Sequence, residues 1–329
     1  MKQRRTITNT GTVSGKKDRI LFFDMIRIIC VAVVVYVHSQ FDLLNGVNQL
    51  IFSDGYGPFN IYPAGLQGYA VYGMIFVSGA VLEYNYQGIE RFSEYTQFIF
   101  KRFIRIYPAF WMSLILGIIL FPIVLQNNLW EVLFEFTGFF VILGKGPGVI
   151  NIMGWFIAAI FSLYLLFPIL SSFVRKYQLG AIAGILILSW GLRFVILTYN
   201  VIPLKLFTYW FPVCNAFEFC LGIYIVQMRW YPKAGNGFPS VRRLSDLSFY
   251  VFLFHIMIIR VFLLDVEQLK PLISLDNMLA MNNLYVGYSI YYIQMMITIL
   301  IVSWIAMATD TRIQKWILQR ESVKKFLIS

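Results

Sequence analysis

Charge is scarce in this sequence. Only 13% of its 329 residues are Asp, Glu, Lys or Arg, about half the share usual in soluble domains. That shortage excludes an ordinary soluble globular domain. Cysteine is scarce as well. Cys30, Cys214 and Cys220 are odd in number, lie in or beside apolar runs and lack metal-ligand spacing. Neither a disulfide framework nor a metal site is expected from them, and they read as small buried hydrophobes. Histidine is limited to His38 and His255. No internal repeat is visible, which leaves a transporter of two related halves without support in the sequence. A cleavable signal is not expected either. The basic tail leads into an apolar stretch too long for a signal-peptide core, so the first helix should stay as an anchor.

Apolar residues are abundant, at 59%. Runs of 18 or more recur along the chain, each long enough to cross a hydrocarbon core of roughly 30 Å as a helix. Lipid offers backbone N–H and C=O groups no partners, so spanning segments must be helices or closed barrels. These runs are too long and too uniformly apolar for barrel strands. The net charge of +11 sits in the tails (Arg4, Arg5, Lys16, Lys17, Arg19; Lys315, Arg320, Lys324, Lys325) and in short connections (Lys101, Arg102, Arg105; Arg175, Lys176; Arg242, Arg243). Such placement orients a membrane protein with its basic loops inside, and nucleic acid is not an expected partner.

The expected fold is all-α: a polytopic transmembrane helix bundle with eight spans and both termini cytoplasmic. Residues 1–18 read as a disordered basic tail, 19–310 as the transmembrane domain and 311–329 as a short basic tail. Spans are expected near 20–41, 66–84, 106–125, 154–173, 179–198, 209–228, 244–264 and 284–308. Residues 126–152 read as a surface or re-entrant segment, and 229–243 as a cytoplasmic loop. Pro108 is expected in the first turn of the third span, where its missing N–H is tolerated.

Ionisable residues inside spans are costly and line protein interiors or watery cavities. Arg27 and His38 are eleven residues apart, three helical turns plus about 20°, so they share a face some 16 Å long. Asp24 and Asp42 fall on the same stripe at i,i+3 and i,i+4 spacing. Histidine takes up and returns a proton near neutral pH, and a nearby carboxylate would orient it. A structural hydrogen bond between helices is the other reading of His38. His255 lies eleven residues into its own span, at a similar depth. Arg102 and Arg105, spaced i,i+3, would form an anion site, or serve only as topology signals.

In order along the chain stand Arg27 and His38 as Arg-x10-His, Ser78-Gly79, Arg102-x-x-Arg105 followed by Tyr107-Pro108, a Trp-led helix from Trp155 to Pro168, Phe219-x-x-Gly222, and Ser248 to His255. Together these resemble membrane acyltransferase family 3, integral-membrane O-acyltransferases of surface carbohydrates. The resemblance covers nearly everything after residue 18. It departs from the family in two ways. Many members carry acidic residues after the Trp where this chain has Ile160 and Phe161, and ten spans are usual there. The resemblance implies transfer of an acyl group, usually acetyl, from acyl-coenzyme A on the cytoplasmic side to a glycan hydroxyl outside, in a multi-pass protein of the cell membrane with no permanently bound cofactor. It implies Arg27, Arg102 and Arg105 as coenzyme A ligands, and His38, with Asp24 and His255, as the catalytic group, acting as base or transient acyl carrier. Ser78 and Asp42 then become acceptor-side candidates, although a Ser-Gly pair also allows close helix packing. An exporter or flippase of a polysaccharide or lipid-linked sugar shares much of this pattern but needs no acyl-coenzyme A site. A histidine-based pH sensor needs no turnover.

Overall fold

A computed structural model of the protein describes residues 19–40, 66–86, 88–126, 129–143, 148–199, 211–232, 238–264, 281 and 283–328. The expected tail at 1–18, the loop around 42–63 and Asp42 lie outside the described residues. Among the described residues there is no strand. The helices are α1 (Leu21–His38), α2 (Leu66–Asn85), α3 (Phe92–Leu120), α4 (Leu129–Glu135), α5 (Gly154–Tyr177), α6 (Leu179–Thr198), α7 (Ala216–Gln227), α8 (Pro239–Leu264), α9 (Leu284–Gln319) and α10 (Glu321–Ile328).

Six of these, α1, α3, α5, α6, α8 and α9, hold segments long and apolar enough to cross a membrane. Of the eight expected spans, the remaining two fall on α2 and α7. With 12 residues, α7 rises only about 18 Å, and α2 carries Ser78, Glu83 and Asn85. Both are packed inside the bundle, on each other and on neighbours, α2 on α1 and α5, and α7 on α5 and α6. Protein covers them, so they need less lipophilicity than a lipid-facing helix. Contact with lipid falls instead to helices such as α6, where Ile187 is 74% and Phe194 68% exposed. In water such surface would be an aggregation patch.

Three local expectations are corrected. The third helix starts at Phe92, not near 106, so Pro108 lies inside it. Its opening is capped instead by Glu94, whose carboxylate accepts the backbone N–H groups of Glu90 and Arg91 and pairs with the Arg91 guanidinium at 2.6 Å. An amphipathic first half, with Phe98 buried, joins the apolar second half in one rod. Residues 311–319, expected as tail, continue α9, and α10 follows. The loop expected at 229–243 ends early, because α8 begins at Pro239.

The segment after α3 makes no crossing. It is a 3-10 turn (Pro122–Gln126), the two-turn α4 and a second 3-10 turn (Phe140–Leu143). Glu135 pins its return, accepting the backbone N–H groups of Val149, Ile150 and Asn151 at 2.8–2.9 Å. Burial pushes that carboxyl up, opposed by these three donors.

The long helices alternate in direction. Arg19 before α1, the end of α2, Arg102 and Arg105 of α3 and the start of α8 all line one cavity. At the opposite end, Ser39 and Gln40 after α1 bond Tyr292 and Tyr288 early in α9. The chain therefore enters α1 and leaves α9 at the same, basic end. Tight contact at the centre depends on glycine. A Cβ on Gly79 would overlap the Phe219 carbonyl oxygen, and one on Gly222 would overlap that of Phe76. The Ser78-Gly79 and Phe219-x-x-Gly222 motifs are thus two halves of one interface between α2 and α7.

Candidate active site

A cavity of about 470 Å³ opens at the basic end between α1, α2, α3, α5 and α8. That size is typical of small-molecule sites. Four guanidinium groups, from Arg19, Arg27, Arg102 and Arg105, and two carboxylates, from Asp24 and Asp246, line it, so its walls carry a net positive charge.

The two carboxylates hold the arginines in place. Arg19 bridges Asp24 at 2.6 Å and Asp246 at 3.0 Å. Burial would lower its pKa, yet those bonds hold it above the ordinary value, so it remains a fixed cation. Buried Asp24 also accepts the Ser245 hydroxyl at 2.7 Å, and Arg27 donates to that same Ser245 oxygen at 3.2 Å. Arg105 reaches Asp246 only at 3.5 Å, and 45% of its side chain is exposed. Arg102 bonds the Tyr86 hydroxyl at 3.0 Å and lies over the Tyr86 and Phe98 rings. Arg27 lies 3.9 Å from Asp24 but is less exposed than Arg105. Arg105, and Arg102, which bonds a hydroxyl rather than a carboxylate, are therefore the cations best placed to take an incoming anion. Bidentate guanidinium–phosphate contacts favour just such groups.

Deeper in, polar lining gives way to Val31, Phe156, Ile160 and Phe252. Beyond this floor lie the two histidines, with ring centroids 5.3 Å apart. Nδ1 of fully buried His255 faces the carbonyl oxygens of Phe252 at 2.8 Å and Val251 at 3.1 Å. Carbonyls only accept, so Nδ1 must donate. Neutral His255 then carries its lone pair on Nε2. Past His38, α1 winds out through Ser39 and Gln40 in a wider π turn, a form common at functional sites. Ser39 shares a hydrogen bond with Tyr292, and Gln40 accepts from Tyr288.

The structure thus gathers five of the expected residues, Asp24, Arg27, Ser78, Arg102 and Arg105, around the cavity, and pairs the other two described ones, His38 and His255, below it. Two roles change. Asp24 is fourteen residues before His38, about 21 Å of helix rise, and it orients arginines rather than an imidazole. Ser78 donates to the Met74 carbonyl at 2.9 Å, the back-bonding of an idle helical serine. Arg19, Ser245 and Asp246 went unrecognised in the sequence. For Asp246 the signal was there, a carboxylate inside an apolar helix. For Arg19, which looked like tail decoration, there was none.

An arginine-lined cavity that ends near a pair of histidines, inside a bundle of apolar helices, defines a multi-pass membrane protein. A family model described as an acyltransferase domain matches residues 20–238, well over half of the chain. The protein belongs to acyltransferase family 3. No curated protein and no solved structure matches it. The match ends just before α8 and does not cover Asp246 or His255.

Proposed function

We propose that the protein moves an acyl group, in the first place acetyl, from acyl-coenzyme A to a hydroxyl of a cell-surface or exported glycan, as a multi-pass enzyme of the cell membrane. One observation carries this reading: a net-positive cavity whose floor residue Phe252 stands one helical turn from buried His255, which in turn meets His38. Arg102 and Arg105, with Arg27 deeper, take the donor's phosphates, and the thioester points toward the floor. The basic end is the cytoplasmic side, where basic loops are retained and acyl-coenzyme A is made. The acceptor comes from the opposite end, where Ser39, Gln40, Tyr288 and Tyr292 form a largely buried polar cluster just past His38.

The acceptor oxygen attacks the thioester carbonyl carbon while His38 takes its proton. The carbon–sulfur bond breaks, an ester forms, and the proton passes to the leaving thiolate. In the two-step version His38 carries the acyl group between these events. Either way, the imidazole is required.

His38→Ala, inserted normally in the membrane, should lower glycan O-acetylation in cells by on the order of 100-fold or more. Retained acetylation would remove His38 from the chemistry. Arg102→Ala and Arg105→Ala should each weaken coenzyme A binding to the purified protein by on the order of tenfold or more. Unchanged affinity would leave them as topology signals.

A further inference from the structure

We infer that Phe252, braced by Phe156, is the wall that limits the length of the acyl group this site accepts, so that the donors are short-chain acyl thioesters. This rests on the cavity being the acyl-coenzyme A site.

The two rings meet at the cavity's inner end, with centroids 4.7 Å apart and planes at 59°. Both line the cavity, and both are otherwise buried, Phe252 at 1% and Phe156 at 6% exposed. Val31 and Ile160 also line the cavity. No polar side chain stands among these four residues, so this end suits a hydrocarbon rather than a phosphate or sugar. On its far side Phe252 lies 6.0 Å, ring to ring, from His255, and its carbonyl holds His255 Nδ1 at 2.8 Å. The residue that ends the cavity also orients the neighbouring imidazole.

Tightly packed aromatic rings do not yield to an added methylene without displacing their neighbours. Space for a chain therefore ends at these rings. Substituting the side chain of Phe252 enlarges the cavity but keeps the carbonyl that orients His255. Chain-length preference should thus change with that ring, and with the Phe156 ring behind it.

The test is equilibrium binding of coenzyme A, acetyl-, butyryl- and hexanoyl-coenzyme A to the full-length protein in nanodiscs. The readout is the ratio of each acyl-coenzyme A dissociation constant to that of coenzyme A on the same variant. In the unaltered protein this ratio should rise on the order of tenfold or more from acetyl to hexanoyl. In Phe252→Ala and Phe156→Ala that rise should largely vanish. Phe252→Leu and Phe156→Leu, which keep the core filled, should shift it in the same direction by less and serve where the alanine variants do not fold. A flat series in the unaltered protein, or variants that keep its ranking, would overturn the wall while leaving the donor site standing. Failure of the unaltered protein to bind coenzyme A in any form would overturn the donor site, and the wall with it.

Discussion

Single buried charges show what this bundle tolerates and why. Arg193, 5% exposed, pairs with Glu218 at 2.9 Å, contacts Asn215, and lies over the rings of Tyr72 and Trp190. Glu83, 1% exposed, accepts from Ser171, Arg175 and Gln227. In each case the polar group is satisfied by several partners, as burial in a low-dielectric interior demands. Removing one partner strands the other. Glu218→Ala should therefore cost about 3–5 kcal/mol, visible as a sharply lowered melting temperature in detergent, and Arg193→Leu in the same chain should recover part of the loss. If Glu218→Ala alone melts like the unaltered protein, the pair does not anchor α6 to α7. Neither pair was singled out in the sequence, because a lone Glu in an apolar run does not name its partner. The His38–His255 pairing had the same gap: equal depth was readable, but that the rings meet was not.

Among the elements, the α2–α7 contact is the most demanding. Gly79 and Gly222 each lie against the other helix's backbone, so no side-chain rotation can relieve an added methyl group. Gly79→Ala and Gly222→Ala should each destabilise the protein by about 1–3 kcal/mol. Gly184→Ala on α6, where a Cβ would meet nothing within 4 Å, should stay within about 0.5 kcal/mol of the unaltered protein. Melting curves of the three variants in one detergent check the contrast, and equal losses would show that these glycines serve only helix flexibility. The helix boundaries teach a related lesson. Hydropathy placed the start of the third helix near residue 106, because its first half is amphipathic rather than uniformly apolar. What extends it to Phe92 is the Glu94 cap together with packing of Phe98 against Tyr86 and Phe167. Hydropathy alone registers neither.

On the scale of the whole molecule, the alternating helices put the entry to α1 and the exit from α9 at the basic end, where the cavity opens. With that end cytoplasmic, Tyr199→Cys, at the far end of α6, should react with a membrane-impermeant maleimide in intact cells. Glu321→Cys, in α10, should react only after permeabilisation. The three native cysteines are buried and should give little background. The reverse labelling pattern would invert the protein and separate the cavity from cytoplasmic acyl-coenzyme A.

Composition and periodicity by themselves determined that the chain is a bundle of membrane helices, because backbone groups in hydrocarbon allow few other solutions for such long apolar runs. Spacing along α1 likewise determined that Asp24, Arg27 and His38 share a face, because a helix repeats at a constant angle. Only the tertiary structure decided what those residues meet. It put Arg19 and Asp246, 227 positions apart, into one ion-paired wall, gave Asp24 to the arginines rather than the imidazole, and brought His38 to His255 behind Phe252. Local geometry follows from the order of residues in one helix, whereas a site between helices depends on which faces pack together. That packing is settled by glycine contacts, buried charges and aromatic rings from distant parts of the chain.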